Sequence, residues 1–507
     1  MIVTCAEMKE IEERAFRSET TAEELMEQAG LQIAQAIRHF FPQRGTCVLY
    51  VGRGHNGGDA LVAGRHLADW GWLVQRRHIF KRDELAELTR QKLQEADGCF
   101  KRAVHMEDIV RAEPNGKGTG VGRPPVVLLD GLLGIGAKGP LREPIRRFAW
   151  EINRLRRELN AFSFAVDIPT GLDGDTGEAD SDCVAADFTL TVGFPKRGLL
   201  ADGASLFVGR LAVLPLPALT KTAPPSAPSA VVATPPRLAP LLRRRLYESH
   251  KTNFGKVGIL AGSPGFTGAG LMAAKGALRA GAGLVTLFAT PDVYPVMAAG
   301  AAPEIMVRPV GTYREALEME QDVLAVGPGL GLGRREELLG VIREAACPMV
   351  VDADGLNAIA ADPSILNRCA GPRVLTPHPG EMGRLVATVG VSRSQVVERF
   401  VAEYPVTLLL KGARTVVGEK GKPISFNSTG NPGMASGGMG DVLTGVIAAL
   451  MGQKLAGYDA ARVGAWVCGR AAEIAIFKSG QSEQSLVATD VIDHLGPAFR
   501  DLADCCF

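Results

Sequence analysis

Short runs of β-branched and aliphatic residues alternate along this chain with stretches whose apolar positions recur at helical spacing, the pattern of βαβ units around a parallel sheet. In the first half the predicted strands are Thr46–Val51, Leu73–Ile79, Val126–Leu129, Phe162–Val166 and Phe188–Val192. In the second they are Val257–Ala261, Leu284–Ala289, Val323–Val326, Met349–Val351, Val374–Leu375 and Val406–Leu410. Nearly every run ends in a cluster of Gly, Pro, Asp or Lys. Ligands of open α/β sheets bind outside the carboxyl ends of strands, so chemistry is sought at those clusters. The pattern breaks between Leu214 and Pro240, where prolines recur too often for a helix or a central strand. The break predicts two α/β domains, 1–216 and 241–507, joined by a Pro-rich linker at 217–240.

A length of 507 residues agrees with more than one domain, and 46% hydrophobic residues with 60 glycines suit a soluble α/β protein whose loops approach ligands closely. A net charge of +1 gives no sign of nucleic-acid or membrane-surface binding. No apolar run reaches the roughly 18 residues needed to span a bilayer. The first residues carry Glu7, Glu10, Glu12 and Glu13 and lack a secretory apolar core, so the cytoplasm is expected. Nine scattered cysteines show no CxxC pair or zinc spacing and read as reduced thiols.

The most informative stretch is Asn427-Ser-Thr-Gly-Asn-Pro-Gly-Met-Ala-Ser-Gly-Gly-Met-Gly-Asp-Val-Leu-Thr-Gly445, which ends in one acid and leads into an apolar helical pattern. Free N–H groups of a glycine-rich turn and of a first helical turn form an anion site. Asp441 then stands where a carboxylate could take the proton of a hydroxyl attacking a phosphoryl group. The bland reading is a glycine-rich loop followed by an ordinary N-terminal helix acid.

In the first domain, Gly52-Arg-Gly-His-Asn-Gly-Gly-Asp59 follows a predicted strand. Its G-x-G-x-x-G spacing alone is weak evidence for a dinucleotide oxidoreductase, and the second strand ends in Gln75-Arg76-Arg77 where an acid would hold an NAD ribose. Two further strands end in acids, Asp130 before Gly131-Leu-Leu-Gly-Ile-Gly-Ala-Lys-Gly-Pro140 and Asp167 before Ile-Pro-Thr-Gly171. Neighbouring strand ends would converge Asn56, Asp59, Asp130, Lys138, Asp167 and Thr170 on one crevice; otherwise the acids merely cap loops. Together these motifs resemble the epimerase domain of NAD(P)H-hydrate repair enzymes over roughly residues 1–215. The resemblance implies a Rossmann-like three-layer αβα sandwich. It implies hydrate contacts at His55, Asn56, Gly57, Gly58 and Asp59, at Gly134, Ile135, Gly136, Ala137, Lys138, Gly139 and Pro140, and at Asp167, which would also be the acid/base. It further implies a potassium ion on Asn56, Asp130 and Thr170. His55 and Thr170 stand where the family usually has Asn and Ser; Thr170 keeps the hydroxyl oxygen.

In the second domain, Gly327-Pro-Gly-Leu-Gly331, Asp352-Ala-Asp354, Thr376-Pro-His-Pro-Gly-Glu381 and Lys411-Gly-Ala-Arg-Thr415 follow successive strands. His378 between two prolines reads as a fixed ligand contact, and Lys411 and Arg414 read as phosphate partners unless they are solvated surface charges. With Ser249-His-Lys-Thr-Asn-Phe-Gly-Lys256 and Gly437-Gly-Met-Gly-Asp441, residues from about 240 to 500 resemble the ADP-dependent NAD(P)H-hydrate dehydratase branch of the ribokinase-like fold. That resemblance implies hydrate contacts at Ala269, Gly329, His378 and Asp441, with Asp441 catalytic. It implies ADP contacts at Lys411, Gly412, Ala413, Arg414 and Thr415, and at Asn431, Pro432, Gly433, Met434, Ala435, Ser436, Gly437, Gly438, Met439 and Gly440. Mg2+ would accompany the nucleotide.

The resulting expectation is a bifunctional enzyme, isomerase and lyase, acting on hydrated nicotinamide cofactors. It would interconvert the R and S hydrates and restore NAD(P)H from the S form at the expense of ADP, giving AMP and phosphate. Its partners would be small molecules and a second copy of itself, without nucleic acid or membrane. The rival reading is a ribokinase-like small-molecule kinase fused to a non-catalytic ligand-binding domain. Neither G-x-S-x-G nor G-x-x-x-x-G-K-[ST] occurs, which disfavours a triad hydrolase and a P-loop ATPase.

Overall fold

The structure is a computed structural model and describes residues 1–18, 20–77, 79–102, 124–224 and 228–506. The chain divides into two compact units, Met1–Pro228 and Ser229–Cys506.

The first unit holds a seven-stranded sheet of β1 (Thr46–Val51), β2 (Leu73–Arg77), β3 (Lys101–Arg102), β4 (Val126–Gly131), β5 (Phe162–Val166), β6 (Phe188–Val192) and β7 (Arg210–Leu214). Every pair is parallel, in the order β3-β2-β1-β4-β5-β6-β7. Alternation along β1 sends neighbouring side chains to opposite faces. Val48 and Tyr50 pack with Phe148 and Ile152 of helix Ile145–Glu158. Leu49 lies instead under Gly64 of helix His55–Asp69, so the sheet is covered on both sides. Strand order reverses between β1 and β4, and that switch point sets Tyr50 beside Asp130 and Val51 beside Gly131.

The second unit is built on ten strands: β8 (Ala230–Ala233), β9 (Lys256–Leu260), β10 (Leu284–Ala289), β11 (Ile305–Pro309), β12 (Val323–Val326), β13 (Met349–Val351), β14 (Arg373–Leu375), β15 (Thr407–Leu410), β16 (Val416–Gly418) and β17 (Ile424–Asn427). Their order is β11-β10-β9-β12-β13-β14-β15-β16-β17-β8, parallel except where β16 runs antiparallel to β15 and β17. Here the switch point lies between β9 and β12. Helix Met439–Gly452 is buried from Val442 to Gly452, a stretch apolar apart from Thr444.

Several strand predictions need correction. β3, β7, β8, β11, β16 and β17 were not foreseen. β11 and β8 are sheet edges, and the exposed positions of β11 hide the apolar signal of a central strand. β4 runs on to Gly131 and so contains Asp130, whereas the strand predicted to end at Ile79 passes His78, outside the described residues. The Pro-rich segment also sustains more order than expected. It forms helices Pro217–Thr222 and Pro235–Leu238, each opened by proline in the first turn, and the edge strand β8 between them. Proline lacks an N–H that the first helical turn would leave unpaired anyway, and an edge strand leaves one side of its backbone unladdered. Residues 225–227 of that segment and Phe507 lie outside the described residues.

Candidate functional site

In the first unit the site grows from the ends of β1, β4, β5 and β6. The turn after β1 is capped at Gly54 and enters helix His55–Asp69. Gly57 permits that entry, because a side-chain carbon there would lie 2.3 Å from the Gly52 carbonyl oxygen. Asn56 Nδ2 then donates to the carbonyls of Leu133 at 2.7 Å and Val166 at 3.0 Å, tying the first loop to those after β4 and β5.

Asp130 is fully buried and takes three hydrogen bonds. Thr170 donates its N–H to Oδ2 at 2.9 Å and its hydroxyl to Oδ1 at 2.7 Å, while the Leu132 N–H reaches Oδ1 at 3.2 Å. Thr170 Oγ1 in turn accepts from the Leu133 N–H at 3.2 Å. Asn56 and Thr170 therefore share Leu133, which gathers the three candidate potassium ligands into one cluster. Burial pushes the Asp130 carboxyl up to about 6 against those hydrogen bonds.

Asp167 follows β5 at the centre of a γ-turn, with φ 66° and the Ile168 N–H donating to the Val166 carbonyl at 2.8 Å. That conformation is rare for a non-glycine residue and costs about 1–3 kcal/mol, the kind of strain that clusters at active sites. Its Oδ1 accepts from Thr191 Oγ1 at 3.1 Å, from the Val192 N–H at 3.0 Å and from buried Lys196. Two more acids face this group. Burial raises Asp59 well above the usual carboxylate range, with Asp167 and Glu12 adding to the rise and Lys196 opposing it. Burial likewise raises Glu12 to about 7.

Lys138 is not drawn into this cluster, contrary to the expected convergence. It is exposed with Gly136, Ala137, Gly139 and Pro140, and its charge acts on Asp173. His55 is also exposed. The side chains that sequence reasoning missed are Lys196 and Glu12. Glu12 had counted only as one acid of an acidic N-terminus.

In the second unit the switch point brings Ala269 and Gly329 together. A side-chain carbon on Gly329, at φ 62°, would lie 3.0 Å from Ala269 Cβ, and Ser263 Oγ donates to the Gly329 carbonyl at 2.7 Å. His378 is the N-cap of helix Pro379–Leu385: its Nδ1 accepts from the N–H groups of Gly380 at 3.0 Å and Glu381 at 3.3 Å. An accepting Nδ1 leaves a neutral imidazole's proton on Nε2, which lies 3.5 Å from Glu381 Oε1.

Lys411, after β15, continues the chain of contacts. Its Nζ lies 3.9 Å from Glu381 Oε2 and 2.8 Å from Oδ1 of Asp352, whose Oδ2 accepts from Thr444 at 2.9 Å. Asp352 is 1% exposed, and the next residue, Ala353, has φ 50°, again a strained strand end. Asp441 stands on the first turn of helix Met439–Gly452, entered through Gly438 in the left-handed region at φ 86°. The N–H groups of Met439, Gly440 and Asp441 precede the first intrahelical donor, Val442, and so point out of the helix end. Burial pushes the Asp441 carboxyl up to about 6, Asp352 pushes the same way, and Lys411 opposes.

The remaining nucleotide candidates surround this helix end. Gly412 and Ala413 are exposed, whereas Arg414 is buried, with its carbonyl accepting from Arg393, and is no solvated surface charge. Thr415 Oγ1 reaches the Gly412 carbonyl at 3.4 Å. Asn431 Oδ1 caps a single turn at Pro432–Met434 through the Gly433 N–H at 3.0 Å, while its Nδ2 is buried with no hydrogen-bond partner among the described residues. Gly433 is buried, Pro432, Ala435 and Gly437 are exposed, and Met434 and Ser436 lie between. The loop is braced where the Gly430 N–H donates to Glu473 at 2.9 Å, itself paired with Arg470 at 2.8 Å. Thr444, a turn beyond Asp441, had not been singled out. Asp352 and Glu381 had been noted as parts of motifs without a role.

Both halves match known families. The family described as YjeF-related protein N-terminus matches residues 22–198, and the family described as NAD(P)H-hydrate dehydratase matches residues 257–495. Over 99% of this chain and 97% of its own length, the bifunctional NAD(P)H-hydrate repair enzyme of Moorella thermoacetica is 36% identical. The enzyme of the same description from Coxiella burnetii is 33% identical over 96% of this chain and 97% of its own. Among solved structures, an ADP/ATP-dependent NAD(P)H-hydrate dehydratase from Bacillus subtilis is 28% identical, with a TM-score of 0.47, over 54% of this chain and 99% of its own.

Proposed function

The chain belongs to the family of bifunctional NAD(P)H-hydrate repair enzymes, an epimerase domain fused to a dehydratase domain, and from that premise we propose which residues carry each reaction. In the epimerase domain Asp167 is the acid/base. The hydrate has lost the C5=C6 double bond of the dihydropyridine and carries a hydroxyl on C6. Asp167 takes the hydroxyl proton, the O–H electrons form a carbonyl at C6, and the C6–N1 pair passes to N1, where conjugation with the carboxamide spreads the charge. Closure from the other face returns the proton and inverts C6. The strained turn at Asp167 and its single-sided hydrogen bonding support this role.

Asn56, Asp130 and Thr170 would hold potassium. Neutral oxygens with one carboxylate suit that ion better than magnesium, and a cation would favour the ionised form of a carboxyl that burial raises to about 6. Bound there, potassium would supply fixed positive charge beside the hydrate's oxygens.

In the dehydratase domain ADP is the phosphoryl donor, and Mg2+ bound with it would screen its phosphates. Asp441 takes the C6 hydroxyl proton as that oxygen attacks the β-phosphorus, and AMP leaves. The N1 lone pair then expels phosphate from C6, and loss of a C5 proton restores the double bond. Hydroxide is a poor leaving group, and phosphorylation replaces it with a good one. The observation that carries this reading is Asp441 on the first turn of a helix whose free N–H groups make an anion site, with a carboxyl raised to about 6, close to the working range of a general base. The buried, unpartnered Asn431 Nδ2 supports a ligand over the same loop. Nine thiols, four of them among buried residues, suit a reducing compartment and support a cytoplasmic enzyme.

The test is to add the purified protein to mixed hydrate epimers with ADP or ATP and follow both reduced-nicotinamide absorbance and nucleotide products. Full recovery with one AMP and one phosphate per cofactor is expected, with ADP the better donor. A stable phosphorylated product would favour an ordinary kinase, and clear superiority of ATP would overturn the donor.

A further inference from the structure

Lys196 carries no glycine or acid signal in the sequence, yet it is the most firmly held charge beside Asp167. It lies in Phe194-Pro-Lys-Arg-Gly198 after β6 and is 1% exposed. Its Nζ donates to Asp167 Oδ1, to the Val192 carbonyl at 3.0 Å and to Thr191 Oγ1 at 3.4 Å. All three ammonium protons thus have acceptors.

The loop is fastened from the start of the chain. Val3 pairs with Lys196 in a parallel bridge; its N–H donates to the Pro195 carbonyl at 3.0 Å and its carbonyl accepts from Arg197 at 2.9 Å. Among the described residues, every donor to the Asp167 carboxylate falls on Oδ1. Oδ2 is the oxygen left for a ligand. Desolvating a lysine this fully is costly, and a buried ion pair gains little over apolar packing of the same volume. Stability alone is therefore a poor reason for this arrangement.

We propose that Lys196 is the positioning residue of the epimerase site: it clamps Asp167 by Oδ1, sets a positive charge against the carboxylate and so presents Oδ2 to the C6 hydroxyl. This rests on the reading of Asp167 as acid/base. The proton moves from the hydroxyl to Oδ2 as C6=O forms and C6–N1 breaks, and it returns from Oδ2 when N1 closes on the other face. Lys196 neither gains nor loses a proton. Around the pair stand Asp59 of helix His55–Asp69, Glu12 and Lys9 of helix Cys5–Arg17, and Cys5 with Asp175. In this acid-rich setting the Lys196 ammonium works against the rise that burial imposes on the neighbouring Asp59 and Glu12 carboxyls.

The experiment uses the full chain and follows exchange between R and S hydrates without ADP, from about pH 5 to 9. Lys196→Met should lower kcat roughly 10- to 100-fold, leave KM within about twofold, and move the acid limb of the rate profile up by about one pH unit or more. Lys196→Arg, which keeps the charge, should hold the limb at its wild-type position even if kcat falls. Thr191→Val, which removes a neutral donor, should lower kcat without moving the limb. If Lys196→Met does not fold, Lys196→Gln keeps donors without the charge and gives the same reading. A charge-free variant that folds and keeps the wild-type limb, or loses activity only through KM, overturns the proposal. Asp167→Asn separates the two claims: if it epimerises normally the acid/base reading fails, whereas if it is inactive and the Lys196 variants show no shift, only the positioning role fails.

Discussion

Lys411 donates to Asp352 across 2.8 Å, and this pair stands against Gly440, where a side-chain carbon would come within 3.2 Å of Lys411 Nζ. Two opposed charges therefore bear on Asp441 from one side. Asp352 raises its carboxyl and Lys411 lowers it, on top of the larger effect of burial.

Asp352→Asn removes the like charge and leaves Lys411 without its ionic partner. The acid limb of dehydration, expected near pH 6 in the wild type from the Asp441 carboxyl, should then move to lower pH. Epimerisation should be unchanged. Rate profiles of wild type and variant check this, and an unmoved limb would show that Asp352 does not govern Asp441.

Asp441 also has a stability signature. Its folded carboxyl stands at about 6, above the unfolded value of 3.8, so the native state binds the extra proton between those values. Burying its charged form costs nothing below about pH 4 and its full amount above about 6, on the order of 3 kcal/mol. Asp441→Asn should therefore be more stable than the wild type at pH 7 to 8, with the difference fading as pH falls to about 4. Urea unfolding at the two pH values measures it.

Asp130 and Thr170 predict the ion dependence of epimerisation. Asp130→Asn keeps the shape but removes the charge, so epimerisation should lose its dependence on potassium, and hydrate should bind more weakly. Rates in potassium chloride against choline chloride decide the point. Anomalous scattering from a transition metal on the Asn56 and Asp130 oxygens would contradict the choice of ion.

Arg470 and Glu473 brace the nucleotide loop from a buried position, 1% and 0% exposed at their side chains. Arg470 also holds Asp501 at 2.7 Å. Arg470→Ala takes the guanidinium away from the buried Glu473 carboxylate and should cost about 3–5 kcal/mol. Because Glu473 also anchors the Gly430 N–H, KM for ADP should rise in whatever fraction stays folded. Calorimetry and steady-state kinetics give the two numbers.

The sequence made some of these relationships legible and hid others for physical reasons. Strand-end acids such as Asp130 and Asp167 stand out because a carboxylate after an apolar run is conspicuous, and the strand order then brings their loops together at the switch point. Partnerships between distant residues leave no such mark. Thr444 meets Asp352 across 92 positions, and Lys196 meets Asp167 across 29, on a loop that also pairs with the distant Val3 segment. Glu12 faces the site from an amphipathic helix whose charged residues otherwise read as a solvated surface. β8 was masked by the prolines around it, since edge pairing with β17 tolerates a composition that a central strand does not.

The central claim is that one carboxylate at a helix N-terminus drives ADP-dependent repair while the epimerase works independently. Asp441→Asn in the full chain tests it most directly, with dehydration of the S hydrate and exchange between R and S hydrates measured on the same preparation. Dehydration should fall by roughly 10²- to 10⁴-fold while exchange keeps its wild-type rate. Dehydration at a near wild-type rate would contradict the account.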